Sequence, residues 1–203
     1  STGMTSDFVD SEEQLRTRYD QPKDMILKLK LKKLDQHARR FISLSPFLVL
    51  ATYGDASPKG DAPGFVQVVN DTTLLIPDRA GNNKLDTLRN IIDHPAIGMI
   101  FFIPGFNETL RVNGNAQVTM DLELLERLAV NGKIPKSGVL VDIEEVYLHC
   151  GKALIRSKLW DSASRVERNA MPTMGQMVAD QVAGVDSKEV ETNYQNALKT
   201  SLY

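Results

Sequence analysis

Apolar residues follow two different rhythms along the chain. Between Asp24 and Ser43, Leu27, Leu31, Leu34, Ala38 and Phe41 recur at three- or four-residue steps, which predicts one helix with these side chains on a single face. The stretch LKLKLKK also alternates strictly over Leu27 to Lys32, so a strand competes locally. The longer rhythm, continuing to Phe41, favours the helix. From Pro46 the rhythm shortens. FLVLATY, GFVQVV, TTLLI, IGMIFFI, TLRVNGNAQVTM and GVLVDIEEVYLH are short runs rich in β-branched and aromatic residues, set apart by Gly, Pro, Asn and Asp, and they predict six strands. Helical patterns interrupt them at Lys84 to His94, at Asp121 to Val130 and at about Cys150 to Trp160. These are too few for regular strand–helix alternation. The expected fold is therefore mainly β, an antiparallel barrel with peripheral helices, in which curvature hides strand edges that would otherwise pair with other chains. Beyond Trp160 the pattern weakens. DSASRVERNAMPTMG reads as a loop, and SKEVETNYQNALKT as a polar helix with Val190, Tyr194 and Leu198 four apart.

Composition sharpens this picture in only a few places. A chain of 203 residues with 42% hydrophobic content suits one domain with terminal additions. The predicted division is an N-terminal helical extension over residues 1–45, the barrel over 46–160, and a C-terminal loop and helical tail over 161–203 that packs on the barrel or on a partner subunit. Lys and Arg total 24 against 26 Asp and Glu, so any anion site must be local and nucleic acid is not an expected partner. The cluster Lys28 to Lys33 is all that supports a DNA-associated module, and lysines on an amphipathic helix usually form a solvated face. One cysteine, Cys150, excludes an intrachain disulfide and a cysteine-rich zinc site, and suits a reducing cytoplasm. No apolar run nears the ~20 residues of a membrane-spanning helix, and the N-terminus lacks the features of a signal peptide. A soluble cytoplasmic protein is expected.

Chemistry concentrates in PDRAGNNKLDTLRNI, Pro77 to Ile91. Asn83 is a good N-cap and Asp86 follows three residues later, a capping-box-like arrangement ahead of Leu85, Leu88 and Ile92, while Pro95 stops the helix. Capping leaves Arg79 and Lys84 without a role. A helix start exposes unpaired amides and a partial positive charge; Gly81 permits close approach, and a guanidinium with an ammonium suits a phosphate. A solvated cap is the alternative. In LHCGKALIRSKLW, His149, Lys152, Arg156 and Trp160 recur at helical steps, so one face gathers two cations, an imidazole and an indole. Cys150 reads as a small buried hydrophobe. His37 and His94 form no ligand spacing with it, and no metal site is expected.

Taken together, SPFLVLATYGDASPKGDAPGFVQV, TLLIPDRAGNNKLDTLRNI, GMIFFIPGFNETLRVNGNAQVT and LHCGKALIRSKLW, in that order, resemble the pyridoxamine 5′-phosphate oxidase-like family of FMN-binding split barrels, and within it an uncharacterised subgroup. The resemblance covers roughly Phe41 to Trp160. It implies a homodimer with FMN at the subunit interface, each site drawing on both chains. On this resemblance Lys84 holds the FMN phosphate, with Asn82 and Asn83 beside it. The oxidases usually carry Ser-Arg there, so Arg79 is the candidate to replace the missing guanidinium. Lys59, Gly60, Asp61 and Ala62 correspond to the stretch lining the flavin, and Pro77 and Asp78 to the strand end passing the ribityl phosphate. Arg111 is either a flavin contact or half of a surface ion pair. His149, Arg156 and Trp160 reach the flavin bound mainly by the other subunit, with interface packing the alternative for Trp160 and a structural role for His149. The implied function is an FMN-dependent oxidoreductase acting on a small molecule, with no catalytic residue singled out. A non-catalytic flavin- or haem-binding protein on the same barrel is the alternative, His149 being its candidate ligand.

Overall fold

The computed structural model describes residues 7–203, so the first six residues of the N-terminal extension lie outside it. Seven strands form one antiparallel sheet: β1 (Phe47–Thr52), β2 (Asp55–Gly60), β3 (Gln67–Asn70), β4 (Thr73–Pro77), β5 (Ala96–Phe102), β6 (Thr109–Thr119) and β7 (Gly138–His149). Their order is β2-β1-β5-β6-β7-β4-β3. The sheet curls into a split barrel whose edges, β2 and β3, do not pair with each other. The strand absent from the six expected ones is β2. Its sequence, DASPKG, has no apolar alternation, and its Pro and Lys suit an exposed edge.

The inward positions make one core. Leu48 and Leu50 of β1, Met99 and Phe101 of β5, Leu110 and Val112 of β6, and Val141 and Val146 of β7 are almost fully buried. Each such side chain contributes roughly 1.5–3 kcal/mol on leaving water. Two helices plug this barrel, α3 (Gln36–Leu44) with Ala38, Phe41 and Ile42, and α4 (Asp86–Asp93) with Leu88 and Ile91. Across the sheet, Leu75 packs with Leu125 of α5 (Leu122–Glu126) and Leu128 in a small second cluster.

On β7 the apolar positions are Val139, Val141 and Ile143, then Val146, so the period of two slips by one residue. The slip is a bulge: Gly114 pairs with Ile143 and Asn113 with Glu145, leaving Glu144 without an opposite residue. Facing it, Gly114 is obligatory because a Cβ there would lie 2.1 Å from the Asp142 carbonyl oxygen. Asn113 donates to Glu145 at 3.0 Å and Asn115 to Glu144, so the paired glutamates are anchored from β6.

The single helix expected over Asp24 to Ser43 is broken. Helix α1 (Glu12–Arg16) precedes the region, α2 spans Asp24–Lys28, and α3 begins at Gln36 with Asp35 as its cap. Between them Leu31 exchanges two backbone hydrogen bonds of 2.8 Å with Val146, where β7 has run past the end of β4. That bridge interrupts the helix, so the local alternation prevails at one residue, and Leu27 is exposed rather than facing the core.

After β7, helix α6 covers only Lys152–Ser157. The tail has single 3₁₀ turns at Ser162–Ser164 and Arg168–Ala170, then α7 (Met174–Gln181), which the pattern did not predict, and α8 (Ser187–Thr200), which it did. These last two helices touch at Gly175, where a Cβ would meet the Ser187 carbonyl oxygen at 2.2 Å. No helix among the described residues is long and apolar enough to cross a membrane.

Candidate functional site

The end of β2 and the end of β4 lie far apart in sheet order, yet curvature brings them into contact. Asp61, just after β2, accepts from Arg79 Nε at 2.7 Å, just after β4. The Asp61 side chain is 4% exposed and that of Arg79 18%, so this pair is largely withdrawn from water. Arg79 Nη1 donates to the Leu128 carbonyl at 2.8 Å, beside the second core cluster. Its other terminal nitrogen, Nη2, makes no hydrogen bond among the described residues. The Ala62 N–H donates to Asp61 Oδ1 at 2.8 Å. So does the Tyr203 hydroxyl, at 2.6 Å, and the Tyr203 ring lies 5.5 Å from the Arg79 guanidinium carbon.

Burial pushes the Asp61 carboxyl up, but the Tyr203 hydroxyl, the Ala62 amide and Arg79 together outweigh it and hold the group below the ordinary aspartate value. Tyr203 is displaced upward, chiefly because ionisation would cost its hydrogen bond to Asp61. Asp78 is also raised: burial dominates, and the charge of Lys59 opposes it only in part. Lys59 is half-buried on β2, Gly60 ends that strand opposite Phe47, and Pro77 is buried at the end of β4.

The loop from Arg79 to Leu85 does not cap α4 as expected. Asn83 and Leu85 both have left-handed backbones, with φ of 63° and 61°, and Leu85 rather than Asn83 occupies the N-cap. Its side chain has no acceptor, so no side chain caps the first turn. Asp86 does not close a capping box either; it pairs with the exposed Lys84 at 3.3 Å. Asn82 accepts from the Lys84 N–H at 3.1 Å and tightens the turn. The contrast within the molecule is informative: Asp35, Asp121, Thr173 and Asp186 cap α3, α5, α7 and α8 with side-chain oxygens. The helix itself is tied to the barrel by Thr87 to Ser57 and Asn90 to Thr52, each 3.0 Å. Its free amide donors are thus held rigidly beside Lys84.

The remaining candidates collect elsewhere. Arg111 on β6 makes no ion pair among the described residues and lies 5.1 Å from the Tyr147 ring. His149 is exposed as the last residue of β7, so it shares no helical face with Lys152 and Arg156. The chain leaves α6 through Lys158, at φ 52°, which also takes Trp160 off that face. Trp160 Nε1 donates to the Phe106 carbonyl at 2.7 Å, fixing the segment against the β5–β6 turn. Cys150 is exposed, contrary to its reading as a buried hydrophobe.

The expected site residues therefore form two groups. Pro77 pairs with Gly138, the first residue of β7, whereas His149 is the last, and the strand between them runs roughly 36 Å at about 3.3 Å per residue; at the other edge Gly60 lies in the row of His149, with β1, β5 and β6 between them. No hydrogen bond, ion pair or aromatic contact joins the two groups among the described residues. Sequence reasoning did not find Tyr203, Leu128, Ser57 or Thr87. Nothing in the polar tail marks Tyr203 as a partner of Asp61, 142 residues away.

A family model for pyridoxamine 5′-phosphate oxidase matches residues 34–150. Among solved structures, HupZ from Group A Streptococcus is 16% identical, with 57% of this chain and 93% of that chain covered and a TM-score of 0.48. An FMN-binding protein from Syntrophomonas wolfei is 12% identical, with 68% and 97% covered and a TM-score of 0.40. General stress protein 26 from Bacillus anthracis is 16% identical, with 56% and 94% covered and a TM-score of 0.38. No curated protein matches the chain.

Proposed function

The chain belongs to the pyridoxamine 5′-phosphate oxidase family, and from that premise we propose that it binds FMN and serves as an FMN-dependent oxidoreductase acting on a small molecule. The observation that carries the binding site is the uncapped start of α4. Its first-turn amides lack a side-chain acceptor, while Lys84 stands exposed beside them with, among the described residues, only Asp86 as partner. Unpaired amides at a helix start together with an ammonium fit a phosphate monoester, and the field of the helix favours its charge. Asn82 and Asn83 shape the approach, and Arg79, fixed by Asp61, presents its unbonded Nη2 as a further donor. Lys59 to Ala62 with Pro77 and Asp78 form the lining along which the rest of the cofactor lies. Bound there, the flavin supplies hydride or electron transfer, and the protein supplies orientation, charge and access.

The second group, Arg111, His149, Arg156 and Trp160, reaches this lining from another copy of the chain, so the functional unit is a homodimer. Exposed Leu148, Ile155 and Leu159 beside these residues supply apolar surface for such a contact.

Flavin fluorescence titration of Lys84→Ala tests the phosphate assignment. Losing a charge-assisted contact costs about 1.5–3 kcal/mol, so affinity should fall by roughly tenfold or more with the melting temperature unchanged. Equal affinity in variant and parent overturns the assignment. Bleaching of the bound flavin by a reductant, followed by re-oxidation with candidate acceptors, tests the oxidoreductase reading.

A further inference from the structure

Tyr203 holds a position that packing of the tail does not require. Helix α8 buries none of its residues and α7 buries only Gly175. Among the described residues, no hydrogen bond, ion pair or aromatic contact joins residues 162–203 to the chain before Asp161 except those of Tyr203. The chain nevertheless turns back after α8 and sets this phenol between the two segments assigned to the flavin. Its hydroxyl is anchored on Asp61, which follows β2, and its ring lies against Arg79, which follows β4. With both neighbours held by their own ion pair, the ring has a fixed place. Tyr203 is 40% exposed, so much of it still faces solvent after these contacts are made.

A planar ring held at its hydroxyl and open elsewhere is a stacking surface for another aromatic system. We propose that Tyr203 is a wall of the cofactor site, and that the C-terminal tail returns to the barrel to complete the site around the flavin. Resting on the FMN reading above, the proposal adds a ligand-contacting residue from outside the matched segment 34–150. It also gives Asp61 a specific task. The carboxylate positions both the Arg79 guanidinium and the phenol, so that one buried charge aligns two sides of the site.

The test is FMN titration of the full chain, comparing the parent with Tyr203→Ala and Tyr203→Phe, read by affinity, by release rate and by the brightness of bound flavin. Asp61 keeps Arg79 and the Ala62 amide in both variants, so the fold should persist with a small loss of thermal stability that is the same for Tyr203→Ala and Tyr203→Phe. Tyr203→Ala is expected to weaken FMN by about three- to tenfold, mainly through faster release, and to brighten the bound flavin because a stacked aromatic quencher is lost. Tyr203→Phe keeps the ring but loses its anchor on Asp61, and should fall between the other two. If the parent binds FMN and Tyr203→Ala matches it in affinity and brightness, the wall is overturned while the FMN reading stands. If the parent binds no FMN, both fall.

Discussion

At the residue scale, the Asp61–Arg79 pair holds the candidate site together. Of the two oxygens of Asp61, one takes Arg79 and the other takes Tyr203 and the Ala62 amide, all on a side chain with 4% exposure. Removing Arg79 leaves a largely buried carboxylate without its ion-pair partner. Arg79→Ala should therefore destabilise the protein by about 2 kcal/mol near neutral pH, measured by urea unfolding. The pH dependence has a definite sign. Because the folded-state value of Asp61 is depressed, its stabilisation is complete above the unfolded value of about 4 and is lost as pH falls through the folded value. The gap between parent and variant should accordingly shrink below about pH 4. Asp78 has the opposite sign, since its raised value favours the folded state at low pH and that contribution is lost on going up through it. Asp78 is present in both proteins, so its effect largely cancels in the difference. An equal gap at pH 3 and pH 7 would show that Asp61 is not the linked group. Sequence reading singled out both residues but not their pairing, because 18 positions and the curvature of the whole sheet separate their strands.

Among the elements, what sequence made legible depended on whether periodicity or a single backbone choice decided the outcome. The six apolar runs were readable because alternation follows directly from burying one face of a strand. β2 was not, since its pairing with β1 through six residues needs no apolar side chain. The capping expectation for α4 failed at two dihedrals: with Asn83 and Leu85 both left-handed, the N-cap falls two residues after Asn83, the best capping residue. A left-handed leucine is a costly choice, of order 1–2 kcal/mol, and such strain gathers where a loop is shaped for a ligand. The bulge in β7 was written in the sequence as a phase slip across Glu144 and Glu145, with Gly114 opposite. That position gives a strict test. Gly114→Ala must move the Asp142 carbonyl or break the register of β6 on β7, the two longest strands, and should cost at least about 2–3 kcal/mol in thermal or urea unfolding. Gly81→Ala is the control, because a Cβ there meets nothing within 4 Å and its φ is not in the left-handed region. Comparable losses for both would mean that the bulge does not constrain the sheet.

For the whole molecule, the division of the candidate residues decides the architecture of the site. One group surrounds the ends of β2 and β4 and the start of α4; the other sits where β7 runs into α6. The resemblance assigned His149, Arg156 and Trp160 to the flavin bound mainly by the other subunit, and among the described residues no hydrogen bond, ion pair or aromatic contact ties them to the first group within one chain. Under the proposed homodimer each flavin site would take its phosphate group from one chain and its second group from the other, so the two groups could be disabled separately and recombined. Lys84→Ala homodimers and Arg156→Ala homodimers should both retain FMN poorly. When the two are unfolded together and refolded as an equal mixture, about half of the dimers combine one chain of each kind, and each of these contains one intact site and one doubly damaged site. Tight FMN binding should then return to about one site in four, while either variant refolded alone regains none. The measurement is flavin stoichiometry after gel filtration, at a mass near twice 22.6 kDa. Full recovery is impossible under this arrangement; absence of recovery would place both groups of each site on one chain, and full FMN retention by Arg156→Ala alone would remove Arg156 from the site.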